Sequence, residues 1–385
     1  RADKIGEDTS LAQIIKMVEE AGGSKAPIAR LADKIAGIFV PVVMSIALIS
    51  FVIWMFVGKD VEFSLNIAIS VLVISCPCAL GLATPVAIMV GTGRGAGMGV
   101  LFKNAESLEN LHNVDTVVLD KTGTLTAGKP AVTDILPATV DENELLIIAA
   151  SLEANSEHPF AKAIMEYTKA VSRREVSVFE TLPGLGVCGI INQKKYYGGN
   201  MKLMTGLGIN VPDLSALALE GKTPLYFASE TEYIGAIVAA DVLKLDSIEA
   251  VKSMQQLHLD VIMLTGDNEM TGNTIANQAG ITHVITDVLP ADKAGVIQQL
   301  QNDGHKVLMV GDGINDAPAL VTADVGMAIG AGTDVAIESA DIVLMNNSLS
   351  SVADAIRLSK ATIRNIRQNL FWAFFYNTLG IPIAA

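Results

Sequence analysis

Three short apolar runs in this 385-residue chain are each followed by a loop that carries an aspartate. The runs are Thr116–Asp120, Asp260–Thr265 and Lys306–Gly311, and the aspartates are Asp120, Asp267 and Asp312. The runs are rich in β-branched residues, which predicts buried strands, and the helical patterns between them predict a parallel sheet. Because ligands bind at the carboxyl ends of the strands in such sheets, the three loops are predicted to form one site.

The loop after the first strand reads Asp120-Lys-Thr-Gly-Thr-Leu-Thr. A carboxylate can attack phosphorus and form an acyl phosphate, so Asp120 is a candidate nucleophile, with Lys121 beside it. The hydroxyls of Thr122 and Thr124 can donate hydrogen bonds to phosphoryl oxygens, and Gly123 lets the backbone approach them closely. A single aspartate at a strand end is more often a turn or capping residue, so the prediction depends on the three loops together.

Carboxylates are concentrated after the third strand, in the stretch Asp312-Gly-Ile-Asn-Asp316. Mg²⁺ prefers oxygen ligands and keeps several waters, so Asp312 is the best candidate to share this ion with Asp120, and Asp316 is a further candidate. Attack of a carboxylate on ATP needs Mg²⁺ and cations to offset the charge on the phosphoryl oxygens. The pattern therefore predicts a phosphoryl-transfer site that uses Mg²⁺ as its cofactor.

Further candidate catalytic residues lie between the second and third strands. Thr265, Gly266 and Asp267 follow the second strand and can bind a phosphoryl oxygen or orient the nucleotide. Lys293 is a candidate partner for the charge of a phosphate.

Two cysteines, Cys76 and Cys78, flank a proline inside a long apolar run. Residues two apart on an ideal helix point away from each other, but Pro77 removes a backbone hydrogen bond and frees the carbonyl of Val73. The helix can open there, so that both thiols face one cavity, as broken helices do where they line a site at membrane depth. Soft thiolates select Cu⁺ and also bind Zn²⁺. A structural kink with two buried cysteines is the alternative.

Three apolar segments are predicted to be membrane helices: Ile35–Val57, Leu65–Val90 and the shorter Leu370–Ala385. The first two are uncharged and long enough to cross about 30 Å of hydrocarbon. A polar turn around Gly58–Asp60 joins them into a hairpin. Lysines and arginines flank the segments, and the positive-inside rule places the polar region between Arg94 and about residue 368 in the cytosol.

The composition agrees with a membrane protein that has a large solvated body. Hydrophobic residues make up 50% and charged residues 18% of the chain. The formal net charge of −14 argues against nucleic acid as a partner, because binding to phosphates favours a basic surface. Within the body, an insert from about Gly128 to Ala240 has its own strand and helix patterns, which predicts a second domain set into the first.

The three loops resemble the signatures of the P-type ATPases, in the same order along the chain. Asp120 to Thr126 is similar to the phosphorylation motif of that family, and Thr265–Asp267 and Asp312–Pro318 match its other two motifs. The resemblance implies a haloacid-dehalogenase-like phosphorylation domain in which Asp120 is phosphorylated. Related phosphatases carry an acid/base aspartate where this chain has Thr122. The acyl phosphate is therefore expected to hydrolyse slowly, as a pump requires.

Other residues resemble the heavy-metal subclass of that family. By this resemblance Glu153, His158, Gly184 and Gly186 line the ATP pocket, with His158 near the adenine. Cys76 and Cys78, together with Tyr376 and Asn377 in the last span, look like the copper group, and Ag⁺ is a second ion for the same site. A Zn²⁺/Cd²⁺ pump is the nearest alternative, and a membrane-tethered dehalogenase-type phosphatase is an alternative from another class.

The expected architecture is membrane helices plus a cytosolic α/β body, with a parallel-sheet phosphorylation domain and an inserted α+β nucleotide-binding domain. The predicted parts are an actuator-domain tail at 1–24, a transmembrane hairpin with the metal site at 25–100, the phosphorylation domain at 101–127 and 241–350, the nucleotide-binding domain at 128–240, and a linker helix with a truncated membrane helix at 351–385. The resemblance further implies an internal fragment of a multi-pass cell-membrane protein, which acts in a lipid bilayer and for which a copper chaperone is a candidate metal donor.

Overall fold

The computed structural model describes residue 21 and residues 26–75, 78–156, 159–218, 221–267, 269–330 and 334–385. The predicted ligands Cys76 and His158 lie outside these residues, as does nearly all of the predicted actuator tail. For Cys78 only the backbone is described.

The first described helices are apolar and lie one after another before the α/β body. They are α1 (Pro27–Phe56), α2 (Val61–Ile74) and α3 (Cys78–Gly97). Among the described residues, α1 is the one helix that is long and apolar enough to cross a membrane. The predicted second span, Leu65–Val90, is divided between α2 and α3. The physical reason is in the sequence, since Pro77 can neither donate a helical hydrogen bond nor fit against the preceding turn.

The body that follows alternates strands and helices. In chain order its elements are β1 Val100–Phe102, α4 Ala105–Asn110, β2 Thr116–Asp120, β3 Thr126–Pro137, α5 Glu142–Glu153, α6 Pro159–Tyr167, β4 Val176–Leu182, β5 Gly186–Ile191, β6 Lys194–Gly199, α7 Met201–Gly206, α8 Ser215–Ala218, β7 Lys222–Ser229, β8 Tyr233–Leu243, α9 Ser247–Gln256, β9 Asp260–Leu264, α10 Glu269–Ala279, β10 His283–Ile285, α11 Lys293–Asn302, β11 Val307–Gly311, α12 Ala317–Thr322, β12 Val325–Ile329, α13 Asp334–Ser339, β13 Ile342–Leu344 and α14 Ser350–Ala384.

The larger sheet has the order β1-β13-β12-β11-β2-β9-β10. Its strands are parallel except for β1, which pairs antiparallel with β13 at the edge. β2 lies between β11 and β9, so the three strands predicted from the sequence are neighbours. Successive side chains of β2 enter different cores: Val117 and Leu119 pack in one, with α9, α10 and α14, and Val118 packs in the other, with α11 and α12. Helices on both faces of a parallel sheet confirm the predicted α/β class.

The insert forms a six-stranded antiparallel sheet with the order β3-β8-β7-β6-β5-β4. The chain leaves the larger sheet through β3 and returns through β8, and these strands pair from Thr126 with Leu243 onward. α5 and α6 cover the sheet with Leu145, Ile148 and Ile164, which pack against strand residues in an apolar core. The predicted α+β insert is therefore present as a compact unit with its own core.

The last helix, α14, is a single continuous helix of 35 residues. Its first half packs in the core of the larger sheet through Val352, Ile356 and Ile363. Its second half lies beside the apolar helices, where Ile381 packs with residues of α1 and α2. The apolar segment predicted at Leu370–Ala385 is thus the continuation of a helix that begins in the α/β body.

Candidate active site

Three carboxylates meet at the carboxyl edge of the parallel sheet. Asp120 ends β2, Asp312 follows β11, and Asp316 ends the short 3₁₀ turn that leads into α12. One ligand oxygen from each of the three lies within 4.8 Å of the others. A cluster of carboxylate oxygens at this spacing fits Mg²⁺, which takes oxygen ligands together with water. Two of the three loops predicted to form one site, those after β2 and β11, therefore meet here.

A buried lysine neutralises two of these carboxylates. Lys293 Nζ donates to Asp120 Oδ1 at 2.5 Å and to Asp316 Oδ1 at 2.6 Å, and the three side chains are 8%, 7% and 3% exposed. Burial opposes the charge on Lys293, but the two carboxylates together outweigh it and raise the pKa of the ammonium. Lys293 was predicted as a partner for phosphate, and it already lies against the candidate nucleophile.

Burial also acts on the carboxylates. Desolvation, followed by the charge of Asp316, raises the pKa of Asp120 to about 7, although Lys293 opposes the shift. The pKa of Asp312 is raised by burial and then by Asp316, while Lys244 and Lys293 oppose it. A divalent cation bound among these carboxylates would favour their charged forms, so the site is suited to bind a cation.

Gly123 makes room for this cluster. A Cβ on Gly123 would lie 1.8 Å from Asp312 Oδ2, and the residue has a φ of +77°, which favours glycine. The neighbouring Thr124 is fully buried, and its hydroxyl has no hydrogen-bond partner among the described residues. Thr122, by contrast, is exposed. The loop thus presents one buried and one solvent-facing hydroxyl near Asp120.

The loop after β9 lies beside the same edge. Asp267 and Lys121 form an ion pair, in which Lys121 Nζ lies 3.0 Å from Asp267 Oδ2. Thr265 is buried, and its hydroxyl oxygen accepts a hydrogen bond from the Asp267 N–H at 3.1 Å. Gly266, between them, is exposed. Lys121 and Asp267 were both predicted from single motifs, and the structure brings them into direct contact.

A cavity of about 340 Å³ lies in the inserted domain, and the predicted residues Glu153, Gly184 and Gly186 line it. Glu153 is 4% exposed, and burial raises its pKa to about 7 although a hydrogen bond from Ser156 opposes the shift. The cavity is thus lined by a carboxyl group that holds a proton more readily than an ordinary glutamate.

The two glycines of this cavity are required for different reasons. Gly184 has a φ of +71°, and a Cβ there would meet no atom within 4 Å, so the space above it is open to a ligand. A Cβ on Gly186 would lie 2.1 Å from the Gly198 carbonyl oxygen, so this glycine allows β5 and β6 to approach each other. The expectation that both glycines admit a ligand therefore fits Gly184 better than Gly186.

Among the lining residues that were not predicted from the sequence, two lie where β6 meets α7. Gly199 ends β6, Asn200 follows it, and both border the same cavity. Asn200 caps α7 by accepting from the Leu203 N–H, and its Nδ2 donates to the Gly184 carbonyl at 2.9 Å. The signal was the dipeptide Gly-Asn directly before a helix, a common arrangement at a helix start.

The predicted residues of the last span differ in their surroundings. Asn377 is 3% exposed, and its Oδ1 has no hydrogen-bond partner among the described residues. Tyr376 is 47% exposed and borders a groove between α3 and α14. A Cβ on Gly380 would lie 2.7 Å from Ile74 Cδ1, which fixes α14 against the end of α2. Asn377 precedes Gly380 by three residues, or about 4.5 Å along the axis of α14.

Comparison with known proteins gives a consistent result. Family models of haloacid dehalogenase-like hydrolases match residues 114–324 and 293–356. A copper-exporting P-type ATPase of Staphylococcus saprophyticus is 50% identical over 393 aligned residues, which cover 100% of this chain and 49% of that protein. This chain thus spans about half the length of the curated relatives that it matches.

Two groups of solved structures share the fold. A zinc-transporting PIB-type ATPase in its E2.Pi state has a TM-score of 0.79 and 32% identity, with 99% of this chain and 67% of that chain covered. The second is the catalytic domain of the CPx-ATPase CopB-B, which is described with its conformational changes upon nucleotide binding. It has a TM-score of 0.56 and 31% identity, with 69% of this chain and 98% of that chain covered.

Proposed function

This chain belongs to the heavy-metal subclass of the P-type ATPases, and we propose that its protein hydrolyses ATP to export Cu⁺ across a membrane. The observation that carries the proposal is the buried cluster of Asp120, Asp312, Asp316 and Lys293 at the carboxyl edge of the parallel sheet. A continuous helix joins that body to the apolar helices, so the chemistry has a mechanical connection to a membrane segment.

In this proposal Asp120 is the nucleophile. A carboxylate oxygen attacks the γ-phosphorus of ATP, the new oxygen–phosphorus bond forms, and the bond to the bridging oxygen of ADP breaks. Lys293 and Lys121 offset charge on the transferred group, and Thr124 offers a buried hydroxyl that has no other partner among the described residues. When held by Asp120, Asp312 and Asp316, Mg²⁺ neutralises further charge on the phosphoryl oxygens.

The lifetime of the aspartyl phosphate follows from Thr122. This residue occupies the position where related phosphatases have an acid/base aspartate, and a threonine cannot activate water in that way. The phosphoenzyme is therefore expected to outlast the release of ADP. This favours a pump over the membrane-tethered phosphatase considered above.

We assign the ATP pocket to the cavity of the inserted domain, with Glu153, His158, Gly184 and Gly186 as its ligands. The cavity of about 340 Å³ and the open space above Gly184 support this assignment. Gly199 and Asn200 are added to the set because they border the same space. Thr265, Gly266 and Asp267 are then free to orient the phosphates beside Asp120.

We assign the transported ion to Cys76, Cys78, Tyr376 and Asn377. The unpaired Asn377 oxygen supports this assignment, because a buried amide without a partner is costly unless a ligand completes it. Cu⁺ is preferred because thiolates select soft ions and because the relative at 50% identity is a copper-exporting ATPase. Ag⁺ would share the site. The zinc-transporting structural neighbour keeps Zn²⁺ as the alternative.

The remaining features of the proposal concern the whole protein. It is placed in the cell membrane as a multi-pass protein, with the phosphorylation domain (101–127 and 241–350) and the nucleotide-binding domain (128–240) in the cytosol. A tail of an actuator domain (1–24), the hairpin (25–100) and the final helix (351–385) complete the assignment. A copper chaperone is a candidate donor of the ion.

The test uses the full-length protein in vesicles under reducing conditions. ATPase activity is titrated separately with Cu⁺, Ag⁺, Zn²⁺ and Cd²⁺ for the wild type, Asp120→Asn, Cys76→Ser and Cys188→Ala. Cys188 is buried in the inserted domain, so it serves as a thiol control. We expect stimulation by Cu⁺ and Ag⁺ that is lost in the first two variants and kept in the third. Stimulation by Zn²⁺ or Cd²⁺ alone would overturn the choice of metal, and equal activity in Asp120→Asn would overturn the mechanism.

A further inference from the structure

The connecting segment, residues 244–247, leads from β8 into α9 and is bonded to the loop directly after Asp120, which we call the phosphorylation loop. Leu125 ends this loop, and its carbonyl oxygen accepts two hydrogen bonds. The donors are the Ser247 hydroxyl at 2.6 Å and the Lys244 N–H at 3.1 Å. Leu125 and Ser247 are fully buried. The connecting segment is therefore held against the phosphorylation loop at both of its ends.

Asp246, inside the connecting segment, caps a distant helix instead of its own. It lies directly before α9, where an aspartate usually accepts a hydrogen bond from the helix that follows it. Among the described residues, its side chain accepts no such bond from α9. Asp246 Oδ2 accepts instead from the Ser348 hydroxyl at 2.6 Å and from the Ser350 N–H at 3.1 Å. Ser350 is the first residue of α14, so Asp246 caps a helix that begins 104 residues further along the chain.

The start of α14 needs a cap from elsewhere. In the described part of the chain, Leu349 at its capping position offers no side-chain acceptor, and its first turn has no acidic residue. The first N–H groups of a helix have no partner within it, and they form the positive end of its dipole. Burial raises the pKa of Asp246, but hydrogen bonds from Ser348 and from nearby backbone N–H groups outweigh this effect and lower it. Asp246 therefore presents a charged carboxylate to the positive end of α14.

This bond is not what attaches α14 to the α/β body. Val352, Ile356 and Ile363 already pack in the core of the larger sheet. What Asp246 adds is a direct connection from the first N–H of α14, through the connecting segment, to the phosphorylation loop. A second bond joins the same two parts, since the Lys244 ammonium donates to Asn347 Oδ1 at 3.1 Å.

We propose that Asp246 is a positioning residue that couples phosphoryl transfer at Asp120 to the membrane end of α14, because it holds the start of that helix against the segment bonded to the phosphorylation loop. The inference rests on the proposed function, in which the phosphoryl group and the transported ion act near opposite ends of α14. A displacement of the phosphorylation loop is passed through Ser247 and Asp246 to the first turn of α14. The helix then carries it to Asn377 without a break.

The coupling is measured as the change in Cu⁺ affinity when Asp120 carries a mimic of the phosphoryl group. Full-length protein in lipid nanodiscs is titrated with Cu⁺ against a chromophoric chelator, with Mg²⁺ alone and with Mg²⁺ plus beryllium fluoride. The ratio of the two dissociation constants reports the coupling, and we expect about tenfold or more in the wild type and less than about threefold in Asp246→Ala. A purely structural loss would shift both constants together and leave their ratio unchanged. Asp246→Asn keeps an oxygen that can cap α14, so its ratio should stay within about twofold of the wild type.

Two further variants keep the test decisive. Asp354→Ala removes a carboxylate near the start of α14 that pairs with the exposed Arg357 at 2.9 Å, and as the matched control it should keep the wild-type ratio. Ser348→Ala removes one of the two donors to Asp246 and should give an intermediate ratio, which decides the matter if Asp246→Ala does not fold. An unchanged ratio in Asp246→Ala or, failing that variant, in Ser348→Ala would overturn the inference alone, as would an equal fall in Asp354→Ala. A wild-type ratio of about one would overturn the proposed function as well.

Discussion

Replacing Lys293 by methionine should destabilise the α/β body strongly, and more at high pH than at low pH. The ammonium bonds two carboxylates, and all three side chains are at most 8% exposed. Removing one partner of a buried ion pair typically costs about 3–5 kcal/mol, because the remaining charge is left uncompensated. We expect a loss of this size at pH 8 without Mg²⁺.

The pH dependence follows from Asp120. Its pKa is raised by burial to about 7 from 3.8, so the folded state holds a proton that the unfolded state has lost, and stability falls as pH rises through that window. Without Lys293 the pKa of Asp120 in the folded state rises further. Each unit of this rise costs about 1.4 kcal/mol of stability at high pH, so the loss of stability continues above pH 7. At pH 6 Asp120 is largely protonated in both proteins, so the difference between them should be smaller by about 1–2 kcal/mol.

The assay is urea denaturation with brief proteolysis of the unfolded fraction, carried out at pH 6 and pH 8 in EDTA and in Mg²⁺. Lys306→Met is the control, since Lys306 is 59% exposed and pairs with Asp324 at 2.9 Å. An exposed pair of this kind contributes at most about 1 kcal/mol. Mg²⁺ should restore part of the loss in Lys293→Met, about 2.7 kcal/mol at one hundred times its Kd. An equal loss at both pH values, or no recovery with Mg²⁺, would refute the electrostatic reasoning.

Three further predictions concern the pocket and the membrane site. Glu153 has a folded pKa of about 7 against 4.5, so wild-type stability should fall by up to about 3 kcal/mol between pH 4.5 and 7.5, and Glu153→Gln should remove that slope in urea unfolding. Gly186→Ala should cost more than about 2 kcal/mol, because its Cβ would lie 2.1 Å from a carbonyl oxygen, whereas Gly184→Ala should cost about 1 kcal/mol for its positive φ; equal melting temperatures would contradict this. Asn377→Leu should keep or raise the melting temperature, since its Oδ1 has no partner among the described residues, while it abolishes metal-stimulated ATPase activity; a large loss of stability would argue for a structural role.

The parallel sheet was predictable because burial on both faces leaves a strong pattern in the sequence. All five residues of β2 and of β11 are buried, and such strands appear as continuous apolar runs. The order of the three central strands then brings Asp120 and Asp312 to one edge. α2 ends at Ile74 and α3 begins at Cys78, on either side of the proline at which the sequence predicted that the helix can open.

Contacts between distant residues could not be predicted in the same way. Lys293 and Asp120 are 173 residues apart, and the sequence indicates a charge at each position without indicating a bond between them. The reason for Gly186 was also hidden, since the Gly198 carbonyl that excludes a side chain there belongs to the neighbouring strand. Asn200 was missed because its capping role and its place in the pocket depend on how β6 meets α7.

Because α14 is one continuous helix, it fixes the rotation of its two ends relative to each other as well as the distance between them. From Ser350 to Ala384 there is no loop in which an added residue could be absorbed. One residue inserted near its middle would advance the far end by about 1.5 Å and turn it by about 100°, which would turn Asn377 out of its buried position. Insertions and deletions should therefore be excluded from this helix even where single substitutions are accepted. The turns of the inserted domain do not fix the rotation of one element relative to another, so their lengths should vary among related proteins.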